Sequence, residues 1–443
     1  MEVMNWIIRN ARILLEEGEI HGDAWIREGR WAAIGQIPGH ATGFSYDAKG
    51  AYLLPGLIDT HAHLRDMGFS AKGTFYTESR AAVAGGVTTV FDMPNTPPPT
   101  TSLERWKAKM HLIGSQSWTN YALYFGATET NLSDIYRLDP RQVPGVKVFL
   151  AASTGELLVT DEAYVRRLLR ESPIRLVFHS EKEALIRAAQ QQWATTEWSQ
   201  VPDLHTRCRP PEACIESTRW LLSEAAHAAV PVHILHVTTE GEIHLLRKRP
   251  TQVSAETCPT YLQWTAEDFR TYRHLLKCNP SLKYPADREA LWRGLLEGVL
   301  EIIGTDHAPH QWEEKHKPYP QAPSGVPSHG YLLPWLWTMG GARGVSLDFW
   351  IEKMVYAPAR LWNIQERGPI REGYWADAVL FSPESKTHVP APQAPQHYSR
   401  VAWHPLSGAE LQGAVIAVWV NGQLSFHKGR FYGSPAGQAV VFG

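Results

Sequence analysis

From about residue 55 to about residue 370, short apolar runs alternate with amphipathic stretches, and this limits the fold more than any other feature of the chain. Residues 87–91, 146–150, 176–178, 232–237, 252–256 and 301–304 are of strand length, with the near-continuous hydrophobicity of strands buried on both faces. Helical patterns lie between them. Residues 161–170 and 217–229 each carry an apolar stripe, and residues 287–299 set Leu291, Leu295 and Leu296 at helical spacing behind Asp287 as a candidate N-cap. Strands that alternate with helices pair in parallel. Roughly 310 residues of such repetition fit a βα barrel with insertions better than a five-stranded open sheet. Polar residues recur at the C-terminal ends of the runs, where a parallel barrel builds its active site.

The two ends of the chain read differently. Residues 6–13, 24–34, 376–381 and 415–420 have strand character, and Asn421-Gly422 marks a hairpin turn. One small strand-rich domain assembled from both termini is expected, dividing the chain into residues 1–54, 55–370 and 371–443. The loops at 93–99 and 318–330 are rich in proline and glycine, and the second is a candidate active-site loop; residues 312–317 show no helical period.

Of 443 residues, 44% are hydrophobic and 20% charged, which excludes disorder as the main state. A net charge of -2 offers no cationic surface for a nucleic-acid backbone. Cys208, Cys214, Cys258 and Cys278 have no CxxC spacing and are expected to be reduced. Neither an export signal nor a membrane span is read in residues 1–15, so the expected compartment is the cytoplasm. The 18 tryptophans are assigned to core and interface packing rather than to ligand stacking.

His61 and His63 follow an apolar run and lie two residues apart, so strand period puts both imidazoles on one face, where two nitrogens can hold one divalent cation. Alone, such a pair also suits a structural hydrogen-bonding role. Three further groups arrive at the same expected rim: His179 ends the run 176–178, His236 falls late in 232–237, and Asp306 follows 301–304. Histidine and carboxylate donors suit Zn²⁺, Mn²⁺ or Co²⁺. In a regular strand His233 faces away from His236, which gives it a supporting role. Lys147 interrupts residues 145–150. A buried ammonium is costly and repels a dication, so Lys147 either snorkels, pairs with an acid, or is N-carboxylated by carbon dioxide to an anion able to bridge two cations.

Taken together, Pro55-Gly56-Leu57-Ile58-Asp59-Thr60-His61-Ala62-His63-Leu64-Arg65, Asp92-Met93-Pro94-Asn95-Thr96, Val146-Lys147-Val148-Phe149, His179, His236, Thr305-Asp306-His307-Ala308-Pro309-His310 and the terminal Asp377-Ala378-Val379 resemble the cyclic amidohydrolases of the amidohydrolase superfamily, and among them the dihydroorotases. The resemblance spans nearly the whole chain. It implies an α/β fold, a distorted (β/α)8 TIM barrel with a small β-sandwich built from both termini. It implies two divalent metal ions, with zinc the first expectation. One would lie between His61, His63, Lys147 and Asp306, the other between N6-carboxylated Lys147, His179 and His236, with a hydroxide bridging them. Asp306 would be the catalytic acid and base. The implied reaction is reversible hydrolysis of (S)-dihydroorotate to N-carbamoyl-L-aspartate in pyrimidine biosynthesis. A homo-oligomer, dimer or tetramer, is a further expectation.

Arg65, Asn95 and His310 resemble the positions that receive the substrate carboxylate, and Asn279 one that touches the ring. Each also has a plainer reading: pairing with an acid for Arg65, turn or loop capping for the other three. Glu256-Thr257-Cys258-Pro259-Thr260-Tyr261-Leu262 looks more like allantoinases or hydantoinases, and Ser281-Leu282-Lys283 departs from the Pro-Leu-Arg common in dihydroorotases. His310, by contrast, stands where allantoinases commonly carry cysteine. Allantoin or hydantoin hydrolysis is the alternative reaction, and a non-catalytic scaffold the alternative class.

Overall fold

The computed structural model describes residues 4–153, 155 and 157–443. Leu57–Ala62, Val87–Asp92 and Asn120–Leu123 pair in parallel as a three-stranded sheet. Phe125–Gly126, Val146–Phe149, Leu176–His179, Val232–Ile234, Val253–Thr257 and Ile302–Ile303 form a six-stranded parallel sheet in chain order. Only Tyr124 separates the two sheets at one edge. At the other, the first strand meets the chain beyond the last: Ala62 bridges His307 in parallel, and the His63 amide donates to the His307 carbonyl at 2.7 Å. This is a TIM-barrel-type arrangement, its strands buried on both faces as their hydrophobicity predicts.

Helices on the outside follow local signals. Asp161 caps Glu162–Glu171 by accepting from the Ala163 amide at 2.8 Å. The helix expected over 217–229 is Pro211–Ala225, because Pro211 suits the first helical position. The one expected over 287–299 is Pro285–Leu296 for the same reason. Asp287 is therefore not its N-cap but lies in its first turn, accepting from the Tyr284 and Glu240 amides. A single helical turn, Trp312–Lys315, is too short to have left a period in the sequence.

The termini share one nine-stranded mixed sheet, in which Tyr52–Pro55 pairs antiparallel with Ala378–His388 and parallel with Trp6–Leu15. The strand expected over 24–34 is two strands, Gly18–Arg27 and Arg30–Gly35, reversed at Glu28-Gly29, where φ is +53 and +81. The Asn421-Gly422 turn is present, with φ +51 and +73. Trp6, Trp31, Leu53, Leu380 and Trp419 belong to a core of this sheet separate from the main one. Trp292, Trp335, Trp350 and Trp403 are also fully buried. The four cysteines are buried and unbridged. No helix among the described residues is long and apolar enough to cross a membrane.

Candidate active site

Most of the site residues stand at or just beyond the C-terminal end of a parallel strand, and Lys147 stands inside one. His61 lies within Leu57–Ala62, His63 just after it, Lys147 within Val146–Phe149 and His179 at the end of Leu176–His179. His236 and Asp306 lie past their strands at φ +40 and +48, so the backbone has left the ladder there to aim the side chain. Arg65 has φ +68. With Asn95 and Asn279, these residues line one cleft of about 350 Å³, completed by Phe149, Ala308, Ser324 and Gly325. Nine of the ten residues singled out from sequence thus meet. The tenth, His310, is buried behind Arg65, its Nε2 3.1 Å from Arg65 Nη2.

Carboxylates outside the cleft and the Asn95 amide in its wall orient the imidazoles. His61 Nδ1 lies 2.5 Å from Glu256 Oε1 and His63 Nδ1 2.7 Å from Asn95 Oδ1. Both therefore turn Nε2 inward, 3.3 and 3.1 Å from the same Asp306 Oδ1. Across the cleft His179 gives Nε2 to Glu181 Oε2 at 2.8 Å, while its Nδ1 faces His236 Nε2 at 2.9 Å. Glu181 is itself held by the buried Arg209. His233 binds Ser254 Oγ at 2.8 Å and approaches Glu256 Oε2 at 3.3 Å, so it braces the carboxylate that orients His61.

The sequence reading missed these supports. Glu181 sits two residues after His179 and Glu256 ends an apolar run, both spacings a reader could have used; Arg209 leaves no such signal.

Burial pushes the His63 imidazole down to about 4 and lowers His179 and His236, so these rings are neutral at pH 7 and keep a lone pair for a cation. Burial resists ionisation of Asp306, but His61, His63 and Lys147 outweigh it and hold the carboxyl at about 2. Lys147 is 1% exposed, has no carboxylate within ion-pair distance among the described residues, and rests over the Phe149 ring at 4.5 Å. Burial pushes its amine down to about 7, which leaves a large share as the free base, the form able to attack carbon dioxide.

The donor set fits divalent cations. His61, His63 and Asp306 bring three ligand atoms within 4.8 Å of one another. His179 and His236 oppose two ring nitrogens, and His236 Nδ1 has no partner among the described residues, a pairing that a cation would satisfy better than one shared proton. A second triple, His61, Glu256 and Cys258, is a poorer ligand set: burial raises the Cys258 thiol well above its usual range, and Glu256 is already engaged.

Residues 50–127 match the dihydro-orotase-like family and residues 210–425 the amidohydrolase family. A dihydroorotase of Pyrococcus abyssi is 32% identical over 400 residues, covering 89% of this chain and 88% of that one. An allantoinase of Streptomyces avermitilis is 29% identical over 97% of both. Among solved structures, an L-hydantoinase (dihydropyrimidinase) from Arthrobacter aurescens superposes with a TM-score of 0.91 at 27% identity, over 99% of this chain and 100% of that one. The strand-end histidines and these three likenesses lead to one conclusion: the chain belongs to the amidohydrolase family, within its dihydro-orotase-like group, and is a cyclic amidohydrolase.

Proposed function

We propose that this protein catalyses reversible hydrolysis of the cyclic amide of (S)-dihydroorotate to N-carbamoyl-L-aspartate, as a cytoplasmic homo-oligomeric enzyme of pyrimidine biosynthesis. We propose further that its parallel strands close into a distorted (β/α)8 barrel, residues 55–370, flanked by a small domain of residues 1–54 and 371–443. One observation carries the choice of substrate. Arg65 is 1% exposed at the cleft, yet no carboxylate lies within ion-pair distance of it among the described residues, and its Nη1 has no partner. An unpaired buried guanidinium is costly, and a ring carboxylate supplies the missing anion.

His61, His63, Lys147 and Asp306 would hold one divalent cation, and Lys147, His179 and His236 a second, with N-carboxylation of Lys147 (amine plus carbon dioxide giving carbamate and a proton) providing an oxygen to each. Cations held there, zinc first among them, supply Lewis acidity that polarises a carbonyl and lowers the pKa of water. Asp306, ionised at neutral pH, takes the proton from the attacking water as its oxygen bonds to the amide carbon. As the ring carbon–nitrogen bond breaks, Asp306 returns that proton to the departing nitrogen. Arg65 and Asn95 orient the ring by its carboxylate, with His310 behind Arg65, and Asn279 faces the ring.

Turnover of dihydroorotate, allantoin and hydantoin side by side tests the reading. Dihydroorotate should be preferred, and Arg65→Ala should lower its kcat/KM roughly 10- to 100-fold, the worth of a charged hydrogen bond, with metal content intact. Preference for allantoin or hydantoin would favour the alternative, which the likenesses of 29% to the allantoinase and 27% to the hydantoinase support.

A further inference from the structure

Lys72 lies between the strand Leu57–Ala62 and the helix Phe75–Ala84, and its side chain is 13% exposed. Its Nζ is 3.0 Å from His310 Nδ1 and 3.1 Å from Glu314 Oε1. An ammonium only donates, so His310 Nδ1 must present a lone pair. The other face agrees: His310 Nε2 is 2.9 Å from the Ser324 carbonyl, which only accepts, so Nε2 carries the proton. Glu314 Oε2, at 3.8 Å from Nδ1, is too far to claim it.

This tautomer has a consequence for Arg65. Its Nη2 is 3.1 Å from His310 Nε2, and two donors that face each other cannot bond. The Nε donates to the Pro309 carbonyl at 3.3 Å, and Nη1 has no partner. Were the imidazole proton on Nδ1, Nε2 would accept from Arg65 Nη2 and that arm of the fork would be satisfied internally. Resting on the proposal that Arg65 receives a ring carboxylate, we infer that Lys72 is a positioning residue for substrate selection: with the Ser324 carbonyl on the opposite face, it holds the His310 tautomer that leaves the two terminal nitrogens of Arg65 without an internal acceptor. Its pairing with Glu314 also keeps that carboxylate from the guanidinium.

The full-length, metal-replete enzyme and its Lys72→Met and Lys72→Arg variants are assayed with dihydroorotate and with dihydrouracil, the same ring without the carboxylate, as substrate or competitive inhibitor. In Lys72→Met the KM for dihydroorotate should rise about tenfold while kcat falls by less than about twofold, so preference for the carboxylated ring drops about tenfold. Arginine, also a pure donor, should restore most of that preference. A KM rise shared by both rings, or no rise, overturns the assignment while leaving the carboxylate reading in place. A wild-type enzyme that does not prefer the carboxylated ring overturns both. Should Lys72→Met fail to fold, long-range 15N–1H correlation on the wild-type protein reads the His310 ring directly: a proton on Nε2 is expected, and a proton on Nδ1 overturns the assignment.

Discussion

His61 and His179 show how much of the site is set one residue away from the cleft. Glu256 takes one nitrogen of His61 and Glu181 one of His179, so each ring is fixed in angle and in tautomer. Glu256→Gln keeps the shape but lets the amide donate to His61 Nδ1, which would move the ring proton to Nε2. Cation affinity and kcat should fall roughly 10- to 100-fold, as read from metal content after dialysis and from turnover. Values matching the wild type would show that the carboxylate does not set the tautomer. A second prediction concerns acid. The Lys72 ammonium, 3.1 Å from Oε1, and the Gln311 amide, which donates to Oε2 at 3.1 Å, hold the Glu314 carboxyl below its ordinary 4.5. A carboxyl with a depressed folded value stabilises the fold at pH values above the unfolded one and loses that contribution as pH falls through the folded one. The stability gap between wild type and Glu314→Gln should therefore be present at pH 6 and close as pH falls below about 4.5, as followed by urea unfolding. A gap independent of pH would count against it. The histidines could be read from the chain because each ends an apolar run. Their carboxylate supports are fainter: Glu181 and Glu256 stand at spacings that permit the role, but a glutamate at a strand end looks the same whether it faces solvent or an imidazole.

Strands and helices were legible in kind and shifted at their ends. The run 232–237 reads as one strand, yet its ladder stops at Ile234, and the departure at His236 turns the ring into the cleft. Periodicity cannot reveal such a departure, since no glycine marks it. Glycine does mark another close approach. A Cβ on Gly304 would lie 2.5 Å from Glu256 Oε2, so the bare backbone just beyond the last parallel strand makes room for the carboxylate that orients His61. Gly304→Ala should push that carboxylate aside and lower cation affinity by roughly 10- to 100-fold, with the far-ultraviolet circular dichroism of the folded protein retained. Wild-type affinity in Gly304→Ala would mean that Glu256 has slack the distances do not show.

Joining the two chain ends to the parallel body is a problem of long-range pairing. The sequence signals both terminal strand-rich segments but not their partners, because hairpin turns specify local register only. The join is polar and buried. Arg367 Nη1 is 2.6 Å from Asp377 Oδ2, and that carboxylate also accepts from Asn120 Nδ2 at 2.9 Å and from the Asn421 amide at 2.8 Å. Asn421 Nδ2 in turn donates to Asn120 Oδ1 at 2.8 Å. One side chain thus ties the parallel strand Asn120–Leu123 to the hairpin turn of the terminal sheet. Removing it strands a guanidinium with 4% side-chain exposure, and breaking a buried pair in this way costs roughly 3–5 kcal/mol. Asp377→Ala should unfold at lower denaturant by that amount. The network touches none of the cleft residues, so kcat per folded molecule should stay within about twofold of wild type. Stability lost together with turnover would mean that the terminal sheet shapes the cleft; turnover kept would mean that the sheet serves the fold and the strand ends serve the chemistry.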